Sequence, residues 1–327
     1  MVKPAHDQEP RQPDEPEYRA DIAKIAEEFE IELPERAINV AVDLLKQVYE
    51  KYGDPSSETY KPYHNYNHSI EVITRSFRLW RLMGEELSGK VNDEDYEIDD
   101  EGYELLLIAG AGHDIVVGSQ GKEVGYDETE SAKITARTME LAGYNEEQVQ
   151  RVYDAILATT VERDVEGNIT QSFVCQGSKD PMKLALATAD INGTTMDGIS
   201  TLVRHAAQLH AEITGIKVED IKHNSEGFSN FLFTQAQFVS GRLAALKGDR
   251  LHYFSEEAEE KLEKAYEREF TGATRDVISL AKTLASFPEM TRMVVDKTLS
   301  TVVAGVGSTA LSTIEALSKA FHRKKDN

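Results

Sequence analysis

Two histidines four residues apart stand in the run Tyr63-His64-Asn65-Tyr66-Asn67-His68. An adjacent pair, His113-Asp114, closes the apolar run LLLIAGAGHD, and Asp190 closes a second one, LALATAD. Together these residues supply two imidazoles and two carboxylates for one divalent cation, with a further histidine beside them. A cation of this kind lowers the pKa of bound water towards neutrality and neutralises charge on phosphoryl oxygens, which suits hydrolysis of a phosphate ester. The donor set accepts manganese, iron, magnesium or zinc and selects none of them.

The elements that carry these residues must bring them to one point. Helical spacing predicts that His64 and His68 share a face. His113 and Asp114 diverge by about 100° on a regular helix, so they converge only at a helix end or a local distortion. Both apolar runs predict buried helices that deliver polar groups at their deep ends. Polar groups buried there need a partner, and a metal ion is a natural one.

The remaining pattern is helical almost throughout. Ile22, Ile25 and Ala26 form one apolar stripe, and Ala41, Leu44, Leu45 and Val48 another. Helices are predicted around 63–79, 105–109, 127–142, 145–159, 181–192, 195–213, 227–247 and 255–286. The acidic stretch 88–101 reads as a loop, as does 161–180, with a small hairpin at Glu166-Gly167-Asn168. The expected class is all-α: a tail over 1–18, disordered by its four prolines and many charges, then a multi-helix domain over 19–250, then a C-terminal helical extension over 251–327. Small residues in the last segment (Ala304, Gly305, Gly307, Ala310) suit close helix packing and make it a candidate arm for homo-oligomerisation. It lacks the bulky aromatic face of a membrane-surface helix.

Charge narrows the partners. With 58 acidic against 36 basic residues the formal net charge is −22, which repels extended nucleic acid and anionic membranes but leaves room for a small anion held by a metal. One cysteine, Cys175, rules out an intramolecular disulfide and suits a reducing cytoplasm, the expected location. No apolar run of about 18 residues is present, so no membrane span is expected.

Over about residues 35–245 the chain resembles the HD-domain superfamily of metal-dependent phosphohydrolases, with His68, His113-Asp114 and Asp190 in the order of that family's motif. Tyr63-His64-Asn65-x-x-His68-x-x-x-Val72, Ile156-Leu157-Ala158-Thr159 and Gln235-x-x-Phe238 are similar to class I cyclic-nucleotide phosphodiesterases. Asp127-Glu128-Thr129-Glu130-Ser131-Ala132 looks like an element of bacterial HD phosphohydrolases of unassigned substrate. The resemblance implies a multi-helix HD-domain bundle. It also implies that His68, His113, Asp114 and Asp190 hold the principal metal and that Asp114 would bridge to a second one. His64 would protonate the leaving oxygen, and Glu128 would orient the attacking water. Asn65, Gln235 and Phe238 would contact the substrate, Gln235 by hydrogen bonding a base and Phe238 by stacking on it. The implied substrate is a small phosphorylated molecule of the nucleotide class, a phosphomonoester or a phosphodiester.

Two positions depart from the phosphodiesterase pattern. Val117 stands where the final histidine of His-Asp-x-x-His would be, and Thr160 replaces the aspartate of Ala-Thr-Asp, with no histidine after it. The four principal ligands are untouched; the losses fall on a second metal site and on a strict cyclic-nucleotide assignment. The same losses count against a di-iron oxygenase. The remaining alternative is a non-catalytic module that senses a nucleotide, which would bind without turnover.

Overall fold

The computed structural model of the chain describes residues 15–87, 99–119, 121–163, 169–171, 180–191, 197, 199–223, 227–228 and 231. The described helices are α1 (Glu15–Phe29), α2 (Glu35–Tyr52), α3 (Tyr66–Leu87), α4 (Asp100–Gly112), α5 (Tyr126–Leu141), α6 (Glu146–Leu157), α7 (Pro181–Ile191) and α8 (Ile199–Thr214), followed by a 3-10 helix, Val218–His223. The class is all-α. A two-stranded antiparallel hairpin, β1 (Val161–Arg163) and β2 (Ile169–Gln171), interrupts the helices with Val161 opposite Gln171; the Glu166-Gly167-Asn168 turn signal lies outside the described residues.

These helices group into two units, α1 to α7 in one and α8 with the 3-10 helix in the other. In the first unit α4 is the central helix. Every residue from Glu104 to Gly112 is buried, as its nearly unbroken apolar sequence requires. Asp99 caps α4 by accepting from Gly102 N–H at 3.0 Å, and Trp80 Nε1 donates to the Asp99 carbonyl at 2.9 Å, fixing the entry to the helix against α3. α3 packs against α4 and α7, α2 against α4, and α5 against α6.

Two glycines allow the close approach at the other end of α4. A Cβ on Gly110 would stand 2.7 Å from Ile73 Cγ1 of α3, and one on Gly112 would collide with the Thr135 hydroxyl of α5. The small residues of IAGAG therefore let α4 bring its last turn against both neighbours at once.

The N-terminal boundary needs correction. The proline-rich tail was expected over 1–18, but α1 begins at Glu15 and Tyr18 is buried edge-on against the Tyr66 ring, 5.1 Å between centroids. Glu15 and Glu17 in the first turn favour the helix electrostatically, and the buried ring anchors it. Residues 1–14 lie outside the described residues. So do 232–327, which include the rest of the 227–247 helix, Gln235 and Phe238, the helix expected over 255–286 and the C-terminal extension. No helix among the described residues is long and apolar enough to cross a membrane.

In the second unit α8 buries His205, Ala206, Ala207, His210 and Ala211, and the His210 ring lies 5.8 Å from Phe228 and 5.0 Å from Phe231.

Candidate metal centre

His68 lies in the first turn of α3, where the helix begins for a local reason. The Asn65 carbonyl accepts from Ser69 N–H at 3.2 Å and its Oδ1 accepts from Asn67 N–H at 2.9 Å, so Asn65 caps the helix. Its Nδ2 donates to the Lys61 and Pro62 carbonyls at 3.0 and 2.9 Å. Asn65, expected at the substrate, thus uses both amide hydrogens and its oxygen to shape the turn before α3. The cap also corrects the placement of His64. That residue precedes the helix and does not share a helical face with His68. The turn nonetheless returns the two rings to an edge-to-face contact with centroids 5.7 Å apart.

His113 and Asp114 follow the last residue of α4. His113 keeps helical backbone angles and Asp114 enters a turn, so the pair leaves the regular helix where convergence requires it. Asp190 comes from the last turn of α7. Three elements therefore meet.

The four donor atoms are close. His68 Nε2 lies 3.2 Å from Asp190 Oδ1, 3.3 Å from Asp114 Oδ2 and 3.4 Å from His113 Nε2. His113 Nε2 lies 3.1 Å from Asp114 Oδ2 and 3.8 Å from Asp190 Oδ1. Ligands bound at about 2.1 Å to one ion lie about 3.0 Å apart at right angles and about 3.4 Å apart in a tetrahedron. The contacts among His68, His113 and Asp114, and that of Asp190 with His68, match that scale, while Asp190 stands further from His113. The tightest group is His68, His113 and Asp114, whose donor atoms all lie within 4.8 Å of one another; Asp190 joins it through the two imidazoles.

Proton bookkeeping points the same way. His113 Nδ1 lies 2.9 Å from the Gly110 carbonyl, an acceptor only, so Nδ1 carries a hydrogen. In a neutral ring Nε2 then presents a lone pair to Asp114 and to His68. Asp114 Oδ2 is buried within contact distance of two ring nitrogens yet has no hydrogen bond of adequate geometry. A lone pair facing a carboxylate needs a cation between them, either a proton or a metal ion. The donor set, the hydrogen-bonded Nδ1 and the orphaned carboxylate oxygen fit a divalent metal.

Without such an ion the site must hold protons. Burial opposes a charged His113, but the adjacent Asp114 carboxylate and the Gly110 carbonyl outweigh it and raise the imidazole to about 9. Burial likewise opposes a charged His68, and contact with Asp114 and Asp190 reverses the balance upward. Asp114 also pays for burial, yet the His113 charge beside it holds its carboxyl well below the usual range. Glu128, in the first turn of α5, is pushed up by burial and then by the Asp114, Asp127 and Asp190 charges, despite a backbone hydrogen bond that favours the carboxylate. Glu128 therefore shares the electrostatic environment of the cluster.

The other residues of the Asp127–Ala132 element support the chain after Asp114. Asp127 Oδ2 accepts from Gly118 and Ser119 N–H at 2.6 and 3.1 Å, and Ser131 Oγ accepts from Val116 N–H at 3.0 Å. Val117 has no metal-ligating atom in its side chain. Sequence reasoning missed two neighbours. The Tyr63 ring lies 4.6 Å from His68 and 4.7 Å from His64, and burial, followed by the Asp190 charge, pushes its hydroxyl far above the usual phenol range. Its position directly before His64 was the available signal. Tyr52 is the other, reaching the site's loop from α2.

Comparison of the chain with protein-family models, with curated proteins and with solved structures gives no match.

Proposed function

We propose that this chain is a metal-dependent phosphohydrolase of the HD-domain type, acting on a small phosphate ester of the nucleotide class. The observation that carries the reading is the convergence of His68, His113, Asp114 and Asp190 from three elements, with Asp114 Oδ2 buried and lacking a hydrogen bond. These four residues would hold one manganese, iron, magnesium or zinc ion. Bound there, the ion would supply Lewis acidity towards water and phosphoryl oxygen.

The chain's own residues divide the remaining work. His64 stands at the rim of the cluster and donates a proton to the leaving oxygen. Glu128, held partly towards its neutral form by burial and neighbouring carboxylates, accepts a hydrogen bond from the attacking water and orients it. The Gly110 carbonyl fixes the His113 tautomer so that Nε2 remains the ligating atom. The nucleotide part of the reading rests on Gln235 and Phe238 in the sequence.

The test is a screen of phosphomonoesters and phosphodiesters, nucleotide and non-nucleotide, on chelator-treated protein with each of the four metals restored. Turnover that returns with metal supports the reading. Nucleotide binding with no turnover under any metal would favour the sensing module instead.

A further inference from the structure

Residues 115–119 follow Asp114 outside any helix or strand, and side chains satisfy much of their backbone. Asp127 and Ser131 of α5 hold one side. The opposite side is held by the last turn of α2. The Ile115 carbonyl accepts from Lys51 Nζ at 3.0 Å and from the Tyr52 hydroxyl at 3.2 Å. The same hydroxyl accepts from Val117 N–H at 2.9 Å. One phenol therefore donates to Ile115 and accepts from Val117, bridging the two residues that flank Val116. Tyr52 is only 3% exposed, so water does not readily replace it.

This contact bears on the cation reading, and the inference rests on that reading. Of the four donors Asp114 stands furthest beyond the end of α4; His113, in the same turn, keeps helical angles, and His68 and Asp190 lie within helices. The Asp114 carboxylate therefore depends most on what fixes the following peptides. Ligand groups must be held within about 0.5 Å of their working geometry. We infer that Tyr52 is a positioning residue for the metal centre: its hydroxyl locks the turn after Asp114 and so aims the Asp114 carboxylate at the cation.

The relation differs from ordinary packing because it resides in one oxygen atom. Tyr52→Phe keeps the buried ring and removes only that atom. Lys51→Met removes the second donor to Ile115 while leaving the phenol bridge intact. Tyr144→Phe removes a buried hydroxyl that donates to Glu104 at 2.6 Å, near the opposite end of α4, and so loosens the fold away from the cluster.

The experiment is a Co(II) titration of the metal-free full chain, read by visible absorption, with thermal unfolding of each metal-free variant recorded alongside. Tyr52→Phe should weaken Co(II) binding about tenfold and alter the ligand-field bands, the lower end of losses seen when groups behind a ligand are removed. Lys51→Met should weaken it less, and Tyr144→Phe should lower the melting temperature with Co(II) affinity unchanged. Parental affinity and bands in Tyr52→Phe would overturn the inference, as would an equal loss of affinity in Tyr144→Phe. Failure of the parent chain itself to bind Co(II) would remove the metal reading and this inference with it, an outcome distinct from a Tyr52 variant that behaves like a binding parent.

Discussion

The imidazoles of His68 and His113 face each other with their Nε2 atoms 3.4 Å apart, and Asp114 and Asp190 each reach both nitrogens. Two ring nitrogens at that distance share at most one proton between them. With two carboxylates beside them, a cation in the gap is favoured, which would link the site's protonation to metal occupancy.

That link gives a pH dependence with a definite sign. The His113 pKa is raised from about 6.5 to about 9, so the folded protein without metal binds its proton more tightly than the unfolded chain. The resulting stability is fully present below about pH 6.5 and is lost as pH rises through about 9. Melting temperatures of chelator-treated protein should fall across that window, and His113→Gln should show a flatter profile. The opposite slope in the parent would show that His113 is not held protonated by its carboxylate neighbours.

Metal binding should carry the reverse dependence. A divalent ion bound there would displace the proton from His113, so apparent affinity should rise with pH up to about 9, by about tenfold per pH unit where one proton is released. Calorimetric titration with Mn(II) in buffers of different ionisation enthalpy measures the released proton directly. Binding with no proton release above the ordinary histidine range would contradict the coupling.

The approach of α4 to α5 gives a structural prediction. A Cβ on Gly112 meets the Thr135 side chain, so Gly112→Ala should destabilise the fold by about 1–3 kcal/mol through overpacking. Adding Thr135→Ala removes the colliding hydroxyl and methyl and should recover part of the loss, visible as positive coupling in a urea double-mutant cycle. Additive losses would mean that the two residues do not share this contact.

The buried runs were readable because their chemistry is local. LLLIAGAGHD and LALATAD announce apolar helices that end in polar groups, and α4 and α7 end where those runs do. The entry to α3 was less readable. Spacing alone placed His64 on the helix, but Asn65 caps the chain one residue later and its donors bind Lys61 and Pro62. The support of the Asp114 turn left no local trace, since Tyr52 reaches Ile115 and Val117 across 63 and 65 positions of sequence. Asp127 and Ser131 were legible as parts of a motif, while their hydrogen bonds to residues 116, 118 and 119 emerge only when α5 packs beside the turn.

His64 separates proton donation from metal binding. His64→Ala should keep its metal and lose about 10²–10⁴-fold in turnover of esters with poor leaving groups. An activated aryl phosphate needs little protonation of its leaving oxygen and should suffer much less. Comparable losses on both substrates would assign His64 to binding or positioning.

The most direct measurement of the central claim is the metal content of purified, metal-loaded chain, taken by elemental analysis on the parent and on Asp190→Asn. Asp190 comes from α7, the element furthest in sequence from His68, so it tests whether the convergence forms a single centre. The parent should hold one equivalent of divalent metal, and Asp190→Asn should lose most of it with the fold retained by circular dichroism. A parent that holds no metal, or an Asp190→Asn chain that holds as much as the parent with equal affinity, would contradict the claim.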